Sequence, residues 1–184
     1  GVMVSAGIGA GIIIDGRVYR GATFGAGEIG HLTVEADGPQ CVCGKRGCLE
    51  AVAGDTAIAA AARDYLTAPD GGPPRREDVV RVALAGDEKA RRILAQAGEK
   101  IGAVLAALVN AFNPEAIVIG GGLADQAGEL LLEPIRRSAR QHAFSELVAE
   151  LPILPAGLGE NAWLMGALTL TVDELFRMPS LDVT

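Results

Sequence analysis

The chain has 184 residues, enough for one sizeable hydrophobic core or for one lobe of a larger protein. Hydrophobic residues make up 49% of it and charged residues 21%, which excludes a wholly disordered chain. The formal net charge of −7 and the aromatic content of 4% argue against nonspecific binding to phosphate backbones and against base stacking. The apolar stretches are shorter than a membrane span and no signal segment opens the chain, so we expect a soluble, cytoplasmic protein that enters no membrane. Because the chain begins with Gly1 rather than Met and enters a strand-like run at once, we expect it to be a piece of a longer protein.

The first twenty residues predict an antiparallel meander. Residues 2–4 and 12–14 are apolar and mostly β-branched, and residues 17–20 alternate between polar and apolar. Asp15-Gly16 lies between the last two runs, and this pair is typical of a two-residue hairpin turn. We expect the Gly-Ile-Gly-Ala-Gly sequence of residues 7–11, the first glycine segment, to connect the first two strands.

The second half of the chain predicts alternating helices and strands. Residues 49–66 are alanine-rich with helical spacing, and a loop rich in proline and glycine follows at residues 68–74. Gly86-Asp87 opens a long helix with one apolar stripe, and Asn113-Pro114 ends it. Strands are predicted at 116–120 and 151–154, helices at 128–140 and 161–176, and Gly-Gly-Gly at 120–122 forms a second glycine segment. This order predicts an α/β fold.

Residues 22–50, which we call the cysteine loop, contain all three cysteines of the chain and a histidine. A loop of this length in a compact domain is uncommon unless it is functional or pinned. His31, Cys41, Cys43 and Cys48 make a complete tetrahedral ligand set for zinc, and closed sites of this composition are structural. The alternative is three thiols that never meet a metal. We predict a structural zinc site.

Two carboxylates adjoin these ligands. Glu28 lies three residues before His31, and Glu50 lies two residues after Cys48. Two carboxylates and an imidazole suit the recognition of neighbouring hydroxyl groups. Alternatively, Glu28 is a local cap and Glu50 is a first-turn acid of the following helix. Spacing alone leaves both interpretations open.

The two glycine segments give weaker signals. Residues 7–11 would let a phosphate or a sugar approach backbone N–H groups, or would simply allow a tight strand crossing. Residues 120–122 follow a buried strand and precede a helix, a common place for a phosphate, but they lack the spacing of a dinucleotide fingerprint or a P-loop lysine.

Several motifs, in this order, resemble the ROK family (repressors, open reading frames and sugar kinases). The resemblance covers the whole chain, and the pattern of one histidine and three cysteines is its most specific part. The motifs are Gly-Ile-Gly-Ala-Gly-Ile-Ile-Ile-Asp-Gly at 7–16, Tyr-Arg-Gly-Ala at 19–22, Gly-Glu-Ile-Gly-His at 27–31, the cysteine motif ending in Cys-Leu-Glu at 41–50, Asn-Pro-Glu-Ala-Ile-Val-Ile-Gly-Gly-Gly at 113–122, Leu-Gly-Glu at 158–160 and Gly-Ala at 166–167.

The resemblance implies an actin-like, ribonuclease-H-like ATPase fold of two lobes with a sugar in the cleft between them. This chain would be the C-terminal lobe, with the zinc-binding loop inserted at about residues 22–50. By resemblance, His31, Cys41, Cys43 and Cys48 would bind zinc, while Glu28, His31 and Glu50 would contact sugar hydroxyls. In kinases of the family, Gly7 and Gly9 would lie near the transferred phosphate, and Gly120 and Gly121 near the adenosine of ATP.

Two departures from the family's sugar kinases matter, and residues 48–54 and 79–87 look more like the family's transcriptional regulators. Family kinases carry a catalytic Asp in the first lobe, upstream of the segment that this chain represents, and nothing here replaces it. They also have Gly-Thr where this chain has Ser5-Ala6, so a phosphate contact is lost. The regulator interpretation implies a small sugar or sugar derivative as effector, operator DNA bound through a winged helix-turn-helix outside this chain, and a homo-oligomer. The alternative is the C-terminal lobe of an ATP-dependent glucokinase, fructokinase or N-acetylhexosamine kinase.

Overall fold

The computed structural model describes residues 1–176, and within them two small sheets and eight α-helices surround one hydrophobic core. The main sheet has the strand order β2-β1-β5-β6, and β3 and β4 form a separate hairpin. The strands are β1 (Val2–Val4), β2 (Ile8–Ala10), β3 (Ile12–Ile14), β4 (Arg17–Tyr19), β5 (Ile117–Gly120) and β6 (Ile153–Pro155).

Strand β1 is central to the main sheet. It pairs antiparallel with β2, with Val4 opposite Ile8, and parallel with β5, with Met3 opposite Gly120. The prediction that residues 7–11 only connect two strands is therefore wrong, because residues 8–10 form β2 themselves. Their backbone groups pair with β1 in an ordinary antiparallel ladder.

The β3–β4 hairpin forms as predicted. Asp15 and Gly16 both have positive φ angles, of 52° and 72°, as the two central residues of a type I′ turn require.

The helices fill the rest of the described chain. They are α1 (Leu49–Ala53), α2 (Asp55–Ala62), α3 (Arg76–Leu84), α4 (Glu88–Phe112), α5 (Gly122–Ala127), α6 (Glu129–His142), α7 (Ser145–Val148) and α8 (Ala162–Phe176). The helix expected over 49–66 is broken at Gly54 into α1 and α2, and α3, α5 and α7 were not predicted.

Helix α4 organises the core. Asp87 caps it by accepting a hydrogen bond from the Ala90 N–H at 2.8 Å, and Asn113 ends it in the left-handed conformation. Its apolar stripe packs mainly against α6. By length and composition α4 is also long and apolar enough to cross a membrane, contrary to the sequence expectation, but half of its most apolar window is buried inside the protein. That burial is typical of a core helix.

Candidate functional site

The cysteine loop folds back on itself so that its first and last parts meet. The Leu49 N–H donates to the Leu32 carbonyl at 2.9 Å, and Thr33 bridges Cys48 in antiparallel fashion. A short 3-10 helix, Ile29–His31, presents His31 to this junction, and Cys48 is the N-cap of α1. His31 and Cys48, seventeen residues apart, thus become neighbours.

A tight turn supplies the other two cysteines. The Cys41 N–H donates to the Lys45 carbonyl at 2.8 Å, and the Gly44 N–H donates to the Cys41 carbonyl at 3.0 Å. Gly47 closes this part of the loop with a φ of 64°, and a Cβ there would lie only 1.5 Å from the Glu35 carbonyl oxygen. Only glycine fits this position, because both the conformation and the space exclude a side chain.

The four predicted metal ligands come together. The ligand atoms of His31, Cys41, Cys43 and Cys48 all lie within 4.8 Å of one another. His31 Nδ1 is 3.6 Å from Cys41 Sγ, and the sulfurs of Cys43 and Cys48 are 3.6 Å apart. Three sulfurs and one imidazole nitrogen at this spacing fit the donor set of a tetrahedral zinc site. The cluster could therefore hold a metal ion.

The thiols are held in different protonation environments. Burial, together with hydrogen bonding to Cys43 and Cys41, raises the pKa of the Cys48 thiol to about 12. The Lys45 backbone N–H lowers the pKa of Cys43, which is exposed. A buried thiolate at Cys48 needs a positive charge close by, and a bound metal cation deprotonates a coordinating thiol.

His31 connects the cluster to Glu28. Its Nδ1 faces Cys41 Sγ, while its Nε2 lies 4.0 Å from Glu28 Oε2. The Glu28 side chain is 70% exposed, so its carboxylate is free to meet a ligand from solvent. The two ring nitrogens therefore face two different groups, and this division of roles suits a histidine that binds a metal with one nitrogen and a substrate hydroxyl with the other.

Glu50 lies next to the first glycine segment rather than in solvent. Its Oε2 accepts a hydrogen bond from the Ile8 N–H at 3.1 Å. A Cβ added to Gly7 would lie 3.1 Å from the same oxygen, whereas Gly9 has open space where a side chain would be. Sequence reasoning missed this contact, because the two residues are 42 positions apart.

The second glycine segment lies at the same end of the sheet. Strands β1 and β5 are parallel, so their carboxyl ends meet at one edge, where Gly121 follows β5. A Cβ on Gly121 would lie 2.6 Å from the Val4 carbonyl oxygen, at the end of β1, and one on Gly120 would lie 2.8 Å from the Ala156 Cβ. Crevices at the carboxyl ends of parallel strands are the usual ligand sites of α/β sheets.

An ion pair beside this segment was also missed. Arg76 Nη1 lies 3.2 Å from Asp55 Oδ2, and a Cβ on Gly122 would lie 2.8 Å from the same nitrogen. The Arg76 side chain is 11% exposed. The signal in the sequence was the charged run at residues 75–78, at the start of α3.

Comparison with known proteins gives the family of this chain. The model of the ROK family matches residues 1–174. A xylose repressor from Caldicellulosiruptor bescii is 32% identical over an alignment of 185 positions, which spans 96% of this chain and 46% of the repressor. The chain thus spans about half the length of the curated relatives it matches.

Two solved structures share the fold. A ROK family glucokinase from Streptomyces griseus, in complex with glucose and AMPPNP, has a TM-score of 0.81 and 34% identity, over 92% of this chain and 58% of the kinase. A ROK family transcriptional regulator, a homolog of the E. coli MLC protein, has a TM-score of 0.74 and 33% identity, over 84% of this chain and 40% of the regulator.

Proposed function

The chain belongs to the ROK family, and from that premise we propose that it is the sugar-binding C-terminal lobe of a transcriptional regulator, stabilised by zinc. The observation that carries the proposal is the position of His31. It stands between the three cysteines and Glu28, with one ring nitrogen facing each. A metal on the cysteine side would fix the imidazole for a ligand on the Glu28 side.

The proposed zinc ligands are His31, Cys41, Cys43 and Cys48. Four protein ligands close the coordination sphere, as in structural zinc sites. Bound there, zinc would crosslink the two ends of the cysteine loop and favour the thiolate forms. The loop has few buried apolar side chains of its own, so a structural ion would contribute much of its order.

The proposed sugar contacts are Glu28, His31 Nε2 and Glu50. Each carboxylate oxygen can accept an O–H donor, and the imidazole can donate or accept. Glu28 is open to solvent, and Glu50 uses only Oε2 in the hydrogen bonds of the described residues. Its other oxygen, Oε1, would therefore serve the sugar.

The lobe assignment is supported by apolar surface that the described residues leave uncovered. In α8, five side chains are between 45% and 61% exposed. Val118 of β5 and Leu154 of β6 are paired in the sheet, and both are at least 40% exposed. Apolar surface of this extent is typical of an interface, and the N-terminal lobe of a two-lobe protein would cover it.

A sugar kinase is the second candidate, because the glucokinase structure that resembles this chain binds glucose and AMPPNP. In that case Gly7 and Gly9 would lie near the transferred phosphate, and Gly120 and Gly121 near the adenosine of ATP. Ser5-Ala6, which precedes the first glycine segment, favours the regulator, since the threonine hydroxyl expected of a kinase is missing there.

The full-length protein that contains this chain can distinguish the two candidates. We expect it to bind a DNA fragment from upstream of its own gene, and one sugar from a panel of xylose, glucose and N-acetylglucosamine to change its DNA affinity at least tenfold. Fluorescence anisotropy measures this change. ATP-dependent phosphorylation of any sugar in the panel, with no DNA binding, would establish the kinase instead.

A further inference from the structure

The outer edge of strand β2 is covered by the cysteine loop. Hydrogen-bonded pairs alternate along the antiparallel ladder with β1, and the backbone N–H groups of Ile8 and Ala10 both face the other side of β2. There, the Ala10 N–H donates to the Gly27 carbonyl at 2.8 Å, and the Ile8 N–H donates to Glu50 Oε2 at 3.1 Å. Both N–H groups on this side of β2 thus donate to acceptors in the cysteine loop.

The approach on this edge is close enough to exclude side chains. A Cβ on Gly30 would lie 2.2 Å from the Ile8 carbonyl oxygen and 3.4 Å from the Glu50 Cβ. The Ile8 carbonyl therefore lies against the Gly30 backbone, while the Ile8 N–H is bound by the Glu50 carboxylate. Any movement of the loop away from β2 must break the Glu50 contact.

The ends of the loop are held by core packing of Ile29 and Leu49 and by the hydrogen bond from the Leu49 N–H to the Leu32 carbonyl. Outside the ligand cluster, Lys100 Nζ in α4 pairs with Glu35 Oε1 at 2.6 Å, and both side chains are at least 34% exposed. Exposed pairs of this kind hold a loop weakly. The cluster adds a connection between the turn that carries Cys41 and Cys43 and the two ends of the loop at His31 and Cys48.

We infer that Glu50 is a positioning residue that links the order of the metal cluster to the first glycine segment. With the cluster closed around its ion, Glu50 holds the Gly7-Ile8 backbone in place through Oε2. With the cluster open, His31 and Cys48 lose this connection, the contact between Glu50 and Ile8 loosens, and the glycine segment loses its fixed shape. Glu50 then contacts both the proposed sugar and the first glycine segment, so a change in the glycine segment alters sugar binding and a bound sugar alters the glycine segment. The inference rests on the proposed function in one respect, namely that zinc occupies the cluster.

Amide hydrogen exchange of the full 184-residue chain, resolved by NMR, tests this link. In the zinc-loaded chain we expect slow exchange at Ile8 and Ala10. Removing zinc with a chelator should speed exchange at both amides at least tenfold, while the Leu105 amide in the core of α4 stays protected and reports that the fold is intact.

Variants separate positioning from general stability. Glu50→Ala should speed exchange at Ile8 at least tenfold even with zinc bound, and Glu50→Gln should largely restore protection because its amide oxygen can still accept the hydrogen bond. Glu35→Gln, in the same loop but on the α4 side, is the matched control and should leave Ile8 unchanged.

Equal exchange at Ile8 in the wild type and Glu50→Ala, with Leu105 protected in both, would overturn the inference. If metal analysis finds no zinc in the chain, the zinc proposal fails. The comparison of the Glu50 variants with Glu35→Gln still decides the positioning role, so the two failures are distinguishable.

Discussion

Replacing Gly30 by alanine should push the cysteine loop away from strand β2. The new Cβ would lie 2.2 Å from the Ile8 carbonyl oxygen, and since Gly30 is buried it has no solvent to turn into. Gly30 has no positive φ angle, so the backbone accepts alanine and the perturbation is purely steric. Restoring ordinary van der Waals contact requires the two backbones to separate by ~1 Å.

The magnitude follows from two costs and one gain. Forcing a methyl group into a packed site costs ~1–3 kcal/mol. A separation of this size stretches the 3.1 Å bond between Ile8 N–H and Glu50 Oε2 beyond hydrogen-bonding range, and a hydrogen bond to a charged acceptor is worth ~1.5–3 kcal/mol. Alanine also lowers the entropy of the unfolded chain, a gain of ~0.4–1 kcal/mol. We expect the free energy of unfolding to fall by ~1.5–5.5 kcal/mol.

Urea unfolding of the zinc-loaded chain measures this loss, and Gly25→Ala is the matched control. Gly25 lies in the same loop, is exposed, and has no atom closer than 3.8 Å to an added Cβ. We expect that variant to change the free energy of unfolding by less than ~1 kcal/mol. Equal stability of the two variants, or unchanged Ile8 exchange in Gly30→Ala, would refute the account of a tight contact between loop and strand.

Three further predictions concern the metal, the sugar and pH. Cys43→Ser should lower zinc content from about one ion per chain to near zero, measured by mass spectrometry of the metal in chelator-free protein; full retention would remove Cys43 from the ligand set. In the full-length protein, Glu28→Ala should keep zinc and fold but weaken sugar binding by on the order of a hundredfold in isothermal titration, and undiminished affinity would place the sugar elsewhere. The hydrogen bond from the Arg75 backbone N–H lowers the pKa of Asp78 below its ordinary 3.8, and the Arg81 side chain lowers it further. The ionised carboxylate therefore stabilises the fold above that value, and this stabilisation is lost as the pH falls through the lowered pKa. Asp78→Asn should therefore be less stable than the wild type at pH 7 and approach it near pH 2 in urea unfolding, and a difference that grows toward low pH would contradict the assignment.

The parts of the fold that the sequence predicted are those set by local rules. The Asp15-Gly16 turn and the capped helix α4 depend on residues adjacent in the chain, and both are confirmed. Strand β2 and helix α5 were missed because their glycines have little intrinsic preference for either structure. Helix α3 begins at an arginine cap and contains several valines, so its pattern did not indicate a helix.

In the candidate site, too, the local features were predictable from the sequence and the long-range contacts were not. The histidine and three cysteines were enough to predict a cluster, because together they make a complete ligand set for zinc, and their ligand atoms lie within 4.8 Å of one another. The contact between Glu50 and Ile8 could not be predicted, since it depends on how the loop meets a strand 42 residues away. The same holds for Arg76 against Gly122, which the main sheet and three helices bring together.

The central claim is that one zinc ion organises the sugar-binding residues, and sugar titration of the full-length protein with and without zinc tests it most directly. Calorimetry with xylose, glucose and N-acetylglucosamine should show saturable binding of at least one sugar to the zinc-loaded protein. After chelation that binding should be lost, and it should return when one equivalent of zinc is added back. Equal affinity in the zinc-loaded and zinc-free protein would contradict the account.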